Sequence, residues 1–138
     1  MDKLSRINWQ SHGFPDLSAS IRKVSSNNEQ ERDEAYETLF QHYLRAITGV
    51  TPELIEYFIS LLNEPEMLEK DRIIGVLTDF AFDAKTALKY EEYKAVGIAT
   101  LLDIKKGQAI FRDIALYHND EETRFCAKRL LSILDIDE

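Results

Sequence analysis

Two aspartates, Asp79 and Asp83, come closest in type and spacing to a catalytic pair. A spacing of four places both carboxylates on one face of a helix. Paired acids can act as general acid and general base in hydrolysis. Two exposed acids on one solvated helix face are, however, far commoner than a catalytic pair. The pair is therefore compatible with a hydrolase and with a non-catalytic surface.

Histidine and cysteine residues complete no catalytic or metal-binding motif. His12, His42 and His118 are far apart in the sequence, and there is no HExxH or Cys/His pairing. Cys126 is the one cysteine and lies on an amphipathic segment, which predicts a buried, inert thiol. A lone cysteine excludes an internal disulfide and favours the reducing cytoplasm. We therefore expect a non-catalytic protein without a metal or cofactor.

Charge and hydropathy narrow the class of partner. The 138 residues carry a formal net charge of −8. This charge opposes binding to the nucleic-acid backbone and favours a basic protein partner. The charge can also serve solubility alone.

No apolar run approaches the ~20 residues that span a bilayer. The first residues, MDKLSRINWQ, lack the apolar core of a signal peptide, so we expect the mature chain to start there.

Apolar residues recur at helical spacing, and Gly (5) and Pro (3) are scarce, which predicts an all-α fold of about seven helices. Asn28 is expected to cap the second helix, with Glu31 completing a capping box, and Gly49 to end it beyond Ile47. The fourth helix is expected to run from about residue 67 to 82. The boundaries between residues 84 and 107 stay open because Gly97 lies inside a helical pattern.

One helix pattern occurs twice. Residues 28–39 read NEQERDEAYETL and residues 120–131 read DEETRFCAKRLL, so each has a polar cap residue, then Arg, Ala and Leu at the same intervals. We call this pattern the template. Residues 68–79, LEKDRIIGVLTD, form a weaker copy with Leu68 at the cap, Gly75 for Ala and Asp79 for Leu. The Arg lies on the Ala side of the helix, which predicts partial burial and an acidic or carbonyl partner in an adjacent unit.

The template resembles the second helices of the HEAT/armadillo class of α-solenoids, over roughly residues 16–134. More narrowly, the stretches INWQSHGFPDLSASIRKV, NNEQERDEAYETLF and TGVTPELIEYFISLL are similar to a family of bacterial HEAT-repeat proteins, some of which are immunity proteins beside polymorphic toxins. The resemblance implies one HEAT-like domain over residues 1–138, a short solenoid of helices stacked in pairs. A non-repeating helical bundle stays open, because the interval from Arg72 to Arg124 exceeds that from Arg32 to Arg72.

Candidate partner-binding residues follow from the solenoid, whose second helices line the inner surface. On the second helix, four acids lie off the apolar side and form what we call the acidic ridge: Glu29, Asp33, Glu34 and Glu37. Asp79 and Asp83 would extend it onto the next helix pair. Tyr90 and Tyr93 are possible aromatic anchors, and Trp9 is better explained as a cap on the first pair.

The function implied by the resemblance is that of an immunity protein that blocks a basic toxin domain. The acidic ridge suits this task, because charge steering raises the association rate and charge pairing adds specificity. A general adaptor or regulatory HEAT-like module is the first alternative, and a hydrolase that uses Asp79 and Asp83 is the second. The sequence leaves the oligomeric state open.

Overall fold

The computed structural model describes residues 3–9, 16–42 and 51–135, and within these ranges the chain forms helices and no strand. The helices are α1 Ser18–Arg22, α2 Glu29–His42, α3 Thr51–Leu62, α4 Lys70–Ala87, α5 Lys94–Lys105, α6 Gln108–Tyr117 and α7 Glu121–Ile133. Short 3-10 helices cover Lys3–Arg6 and Lys23–Ser25. The prediction of an all-α chain with about seven helices is confirmed for the described ranges.

Helix α4 is displaced along the sequence from its predicted position. It begins at Lys70 and not at residue 67, because Glu69 before it has left-handed backbone angles (φ 54°, ψ 49°) that interrupt a helix. It continues past Phe82 to Ala87, since Ala84 is buried in the interior. The predicted helix end near Ile47 and Gly49 lies outside the described residues.

Each helix that carries the template follows a shorter helix. Helix α1 packs on α2, α3 contacts α4, and α6 packs on α7. Helix α4 also packs on α7, and α5 lies against both α4 and α3. The enclosed core is aliphatic and aromatic, and its largest fully buried side chains include Phe58, Phe80 and Phe111.

Gly97 explains why α5 could not be delimited from the sequence. A Cβ at this position would lie 2.6 Å from the carbonyl oxygen of Ala84 and 3.1 Å from the Cβ of Ala87. The glycine is therefore required by the close approach of α5 to α4, and it does not mark a helix end.

Candidate functional site

The first and last template copies begin with the same cap. The Asn28 side chain accepts a hydrogen bond from the N–H of Glu31 (3.1 Å), and the Asp120 side chain accepts one from the N–H of Thr123 (3.0 Å). The predicted capping box is not closed by Glu31 itself. Ser26 instead accepts from the N–H of Asn28 (3.0 Å) and donates to Glu31 (2.6 Å). Each cap thus satisfies one N–H group in the first turn of its helix.

The template arginines make equivalent contacts. Arg32 donates to the carbonyl oxygen of Ser26 (2.8 Å) and Arg124 to that of His118 (2.5 Å), each carbonyl lying six residues before its arginine. Arg32 is buried and also donates to the carboxylate of Glu69, just before α4. The predicted burial and the acidic partner in an adjacent unit are confirmed for Arg32, whereas Arg124 is half-buried and its carbonyl partner lies in its own unit. The template alanines and leucines are buried as well: Ala35, Ala127, Leu39 and Leu131.

Arg72, from the weaker copy, links α4 to α2. Its guanidinium donates to Asp33 at 2.6 Å and lies 3.4 Å from Glu69. Since Glu69 also accepts from Arg32, the four charges form one continuous network between the two helices. The network fixes α2 beside α4.

A groove lies across the three template helices. It encloses about 310 Å³ and is lined by Tyr36 and Phe40 of α2, by Arg72, Gly75, Val76, Thr78 and Asp79 of α4, and by Cys126 and Arg129 of α7. We call it the template groove. A Cβ added at Gly75 would have no neighbour within 4 Å, so the missing side chain leaves open space in it. Phe40 is 59% exposed and offers an apolar wall.

Asp79 lines the template groove, whereas Asp83, one turn further along α4, does not. Both side chains are partly buried, not exposed as two acids on a solvated helix would be. Burial raises the pKa of both carboxyl groups; Arg129 opposes the rise at Asp79, and the negative charge of Asp79 adds to it at Asp83. The Oδ2 atom of Asp83 is buried and has no hydrogen-bond partner among the described residues. This acceptor is therefore unpaired among the described residues.

Tyr36 is a second group with unused hydrogen-bonding capacity. Its side chain is buried, it lines the template groove, and its hydroxyl oxygen has no partner within the described ranges. Burial raises the pKa of the phenol, so the hydroxyl keeps its proton and can donate. Arg129, the cation on the opposite helix, lies 5.8 Å from the centroid of the Phe82 ring.

The acidic ridge is present on the surface of α2, where all four acids are exposed. They are not equivalent, because Asp33 is held by Arg72 and Glu34 accepts from the Gln30 side chain (3.3 Å). Across the described residues, Glu29 and Glu37 form no ion pair. The ridge therefore offers uncompensated negative charge at its two ends.

The aromatic candidates separate into two groups. Trp9 is 5% exposed and packs into the core, as a cap on the first helix pair should. Tyr90 and Tyr93 are both more than half exposed, in the turn between α4 and α5, and do not line the template groove. Phe40 in the groove wall and Phe82 against Arg129 were not among the predicted anchors, because local spacing does not show which aromatic side chains stay exposed.

Of the described residues, neither Cys126 nor His118 is an activated nucleophile. Cys126 is partly buried and not fully buried as predicted, and burial and the Glu122 carboxylate raise the pKa of its thiol. His118 accepts a hydrogen bond from the N–H of Asp120 (3.0 Å), which is a structural role in the turn before α7. His12 and the side chain of His42 lie outside the described part of the chain.

Three comparisons with known proteins add no assignment. Neither a protein-family model, nor a curated protein, nor a solved structure matches the chain. The residues described contain no group of three or more His, Cys, Asp or Glu side chains that could hold a metal ion. Of the helices in the described ranges, none combines the length and the apolar character needed to cross a membrane.

Proposed function

We propose that this chain is a non-catalytic protein-binding module of HEAT-like architecture, which receives a basic protein on the surface formed by α2, α4 and α7. The observation that carries the proposal is the template groove. One cavity touches all three template helices, has an exposed aromatic wall, and is lined by Tyr36, whose buried hydroxyl has no partner in the described chain.

The repeated contacts of the template support a solenoid-like arrangement. Equivalent caps and arginine–carbonyl bonds occur at the starts of α2 and α7, and a shorter helix precedes each template helix. In a solenoid each unit buries its apolar face against its neighbours, and the second helices form a shared binding surface. The contacts of α4 with both α2 and α7 agree with that order.

A lysine or arginine of the partner fits the chemistry of the groove. Its methylene groups can pack against Phe40, while its cationic end pairs with the carboxylate of Asp79. The cations already there, Arg72 and Arg129, are each engaged by acids or an aromatic ring. The acidic ridge beside the groove then steers the basic partner and raises its association rate.

We further propose a cytoplasmic immunity protein, whose partner is a basic toxin domain. The support is the resemblance of the first sixty residues to bacterial HEAT-repeat immunity proteins, together with the net charge of −8. A general adaptor uses the same groove and differs in the identity of the partner alone. The immunity role and the adaptor role are distinguished by the effect of the partner on cell growth when this chain is absent.

Filling the groove tests the binding surface. Gly75→Leu places a side chain in the open space, whereas Gly75→Ala adds one carbon and is the matched control. With each variant as bait in a lysate of the native host, a partner rich in surface Lys and Arg should be retained by wild type and Gly75→Ala and lost by Gly75→Leu. Circular dichroism melts confirm that both variants are folded. Equal capture by folded Gly75→Leu places the interface elsewhere.

Co-expression tests the immunity role. The captured partner is expressed alone, and under the immunity proposal its expression should stop growth. Wild type and Gly75→Ala should restore growth, and Gly75→Leu should not. A captured partner that is harmless when expressed alone assigns the adaptor role and contradicts immunity.

A further inference from the structure

Helix α5 has an apolar stripe on its outer face. Ala95, Ile98, Ala99 and Leu102 recur at the spacing of one helix face, and all four are exposed, Ile98 by 45% and Leu102 by 57%. The opposite face of the helix carries the buried residues Gly97, Thr100 and Ile104. In a surface helix such a stripe normally faces the core. Here it faces outward.

Charged residues flank this stripe at both ends. They are Glu91 and Glu92, exposed in the turn before α5, Lys94 at its first position, Lys105 at its last position, and Lys106 directly after it. Lys106 pairs with Asp103 at 3.1 Å on its own helix, yet its side chain stays 69% exposed. Exposed pairs of this kind contribute little stability, so the ammonium can turn to another carboxylate.

We propose that α5 is a self-association surface, on which a second copy of this chain binds with its α5 antiparallel to the first. The charges determine the direction. Antiparallel packing places the Glu91 and Glu92 end of each copy beside the Lys105 and Lys106 end of the other, whereas parallel packing brings like charges together. A two-fold axis makes both ends complementary at once, as a closed symmetric dimer requires.

The sizes of the apolar residues agree with the same register. With the two-fold axis between residues 98 and 99, Ala95 lies level with Leu102 of the second copy, and Ile98 lies level with Ala99 of the second copy. A large side chain thus meets a small one at each level, which lets the two helices approach closely. Tyr90 and Tyr93, exposed at the N-terminal end of the stripe, extend the patch in both copies.

The self-association is independent of the template groove. None of the stripe residues lines that groove, and α5 contacts the rest of the fold through α3 and α4. A dimer through α5 carries two template grooves. A variant that loses the dimer therefore does not contradict the proposed binding surface. Loss of partner binding in Gly75→Leu likewise does not contradict the proposed dimer.

Sedimentation velocity on the full chain over a range of concentrations tests the dimer. Wild type should dimerise. Leu102→Glu should raise the dissociation constant of the dimer by about tenfold or more, because it buries a charge in the stripe. Leu116→Glu is the matched control, since Leu116 is 60% exposed on α6 and should leave the dimer unchanged. A monomer at every concentration overturns the proposal, and so does a dimer that Leu102→Glu does not weaken.

Charge reversal tests the antiparallel direction. The double variant Lys105→Glu with Lys106→Glu should weaken association, and adding Glu91→Lys with Glu92→Lys should restore it. Raising the salt concentration should reduce both effects. If the variant with all four changes melts like wild type but does not regain association, the antiparallel pairing is contradicted.

Cysteine cross-linking tests the register in a Cys126→Ser background. Ala99→Cys lies beside the two-fold axis, within the Cα separation of about 4–7 Å that a disulfide spans, and should form a covalent dimer on oxidation. Leu102→Cys should not, because its two copies are about 10 Å apart along the helix axis. Cross-linking of Leu102→Cys alone contradicts the proposed register.

Discussion

The guanidinium of Arg72 lies 4.1 Å from the centroid of the Tyr36 ring. This contact joins α4 to α2 at the template groove, and the same guanidinium is held by Asp33 and Glu69. A cation over an aromatic face is attracted by its quadrupole, more strongly where water is excluded. Arg72 therefore shapes the groove wall and connects it to the ionic network.

The two arginines of this network should differ in their effect on stability. Arg32→Met leaves Glu69 without its buried partner and should lower the free energy of unfolding by about 3 kcal/mol or more. Arg72 is more exposed, so Arg72→Met should lower it by only about 1 kcal/mol. Urea unfolding of both variants measures the difference. Equal losses would show that the network is not centred on the Arg32–Glu69 pair.

Two helical glycines should respond to alanine with opposite sign. Gly75→Ala adds a Cβ to open space and should raise the free energy of unfolding by about 0.5–1 kcal/mol. Gly97→Ala forces a Cβ to 2.6 Å from the carbonyl oxygen of Ala84 and should lower it by about 1–3 kcal/mol. Thermal melts of the two variants measure whether the two changes in stability have opposite sign. A stabilised Gly97→Ala would mean that α5 does not approach α4 so closely.

These two positions also show what the sequence could predict. Helical spacing and caps depend on nearby residues, so the pattern located the helices, Asn28 and Asp120 as caps, and the burial of Arg32. The role of Gly97 depends on Ala84 in another helix, and local spacing does not contain that contact. Gly75 could be recognised in the sequence as a departure from the template. The open space beside it could not, because that space is bounded by α2 and α7.

The acids illustrate the same limit. Spacing placed Asp79 and Asp83 on one face of α4, while their partial burial comes from neighbouring helices. The α2 pattern made the four acids of the ridge look alike. Asp33 differs from the other three because Arg72, which lies in the weaker copy of the template, reaches it alone among them.

Asp83 should destabilise the fold at neutral pH. Its carboxyl pKa is raised on folding, so its contribution to stability is present below the unfolded value of 3.8 and is lost as the pH rises through the folded pKa. Asp83→Asn should therefore melt at a higher temperature than wild type at pH 7, and the gap should close as the pH falls toward 3.8. A gap that does not change with pH would assign the effect to packing.

Asp120 provides the control of opposite sign. Hydrogen bonds from the side chain and the N–H of Thr123 lower its carboxyl pKa, so its contribution is present above 3.8 and is lost as the pH falls through the folded pKa. Asp120→Ala should lower the melting temperature at pH 7 and do so less in acid. Equal losses at both pH values would contradict a role for the ionised cap.

The template leucines should be among the most sensitive positions. Leu39 and Leu131 are fully buried, so Leu39→Ala and Leu131→Ala should each lower the free energy of unfolding by about 2–5 kcal/mol. Leu116→Ala, at an exposed position, should change it little. Denaturant unfolding compares the three variants. If the two template variants unfold like Leu116→Ala, the template does not mark the core.

The last prediction separates two acids of the ridge that have the same charge. Asp33→Lys brings a cation to Arg72 and breaks the network, so it should reduce stability. Glu37→Lys removes like-charge repulsion at spacing four and should leave stability level or slightly raised.

Association of Glu37→Lys with the captured partner should be slower than that of wild type, with the defect shrinking as salt is added. The matched control is Asp113→Lys, an equal charge change at an exposed position of α6. Surface plasmon resonance at low and high salt measures the rates. If Glu37→Lys and Asp113→Lys slow association equally, net charge and not the ridge steers the partner.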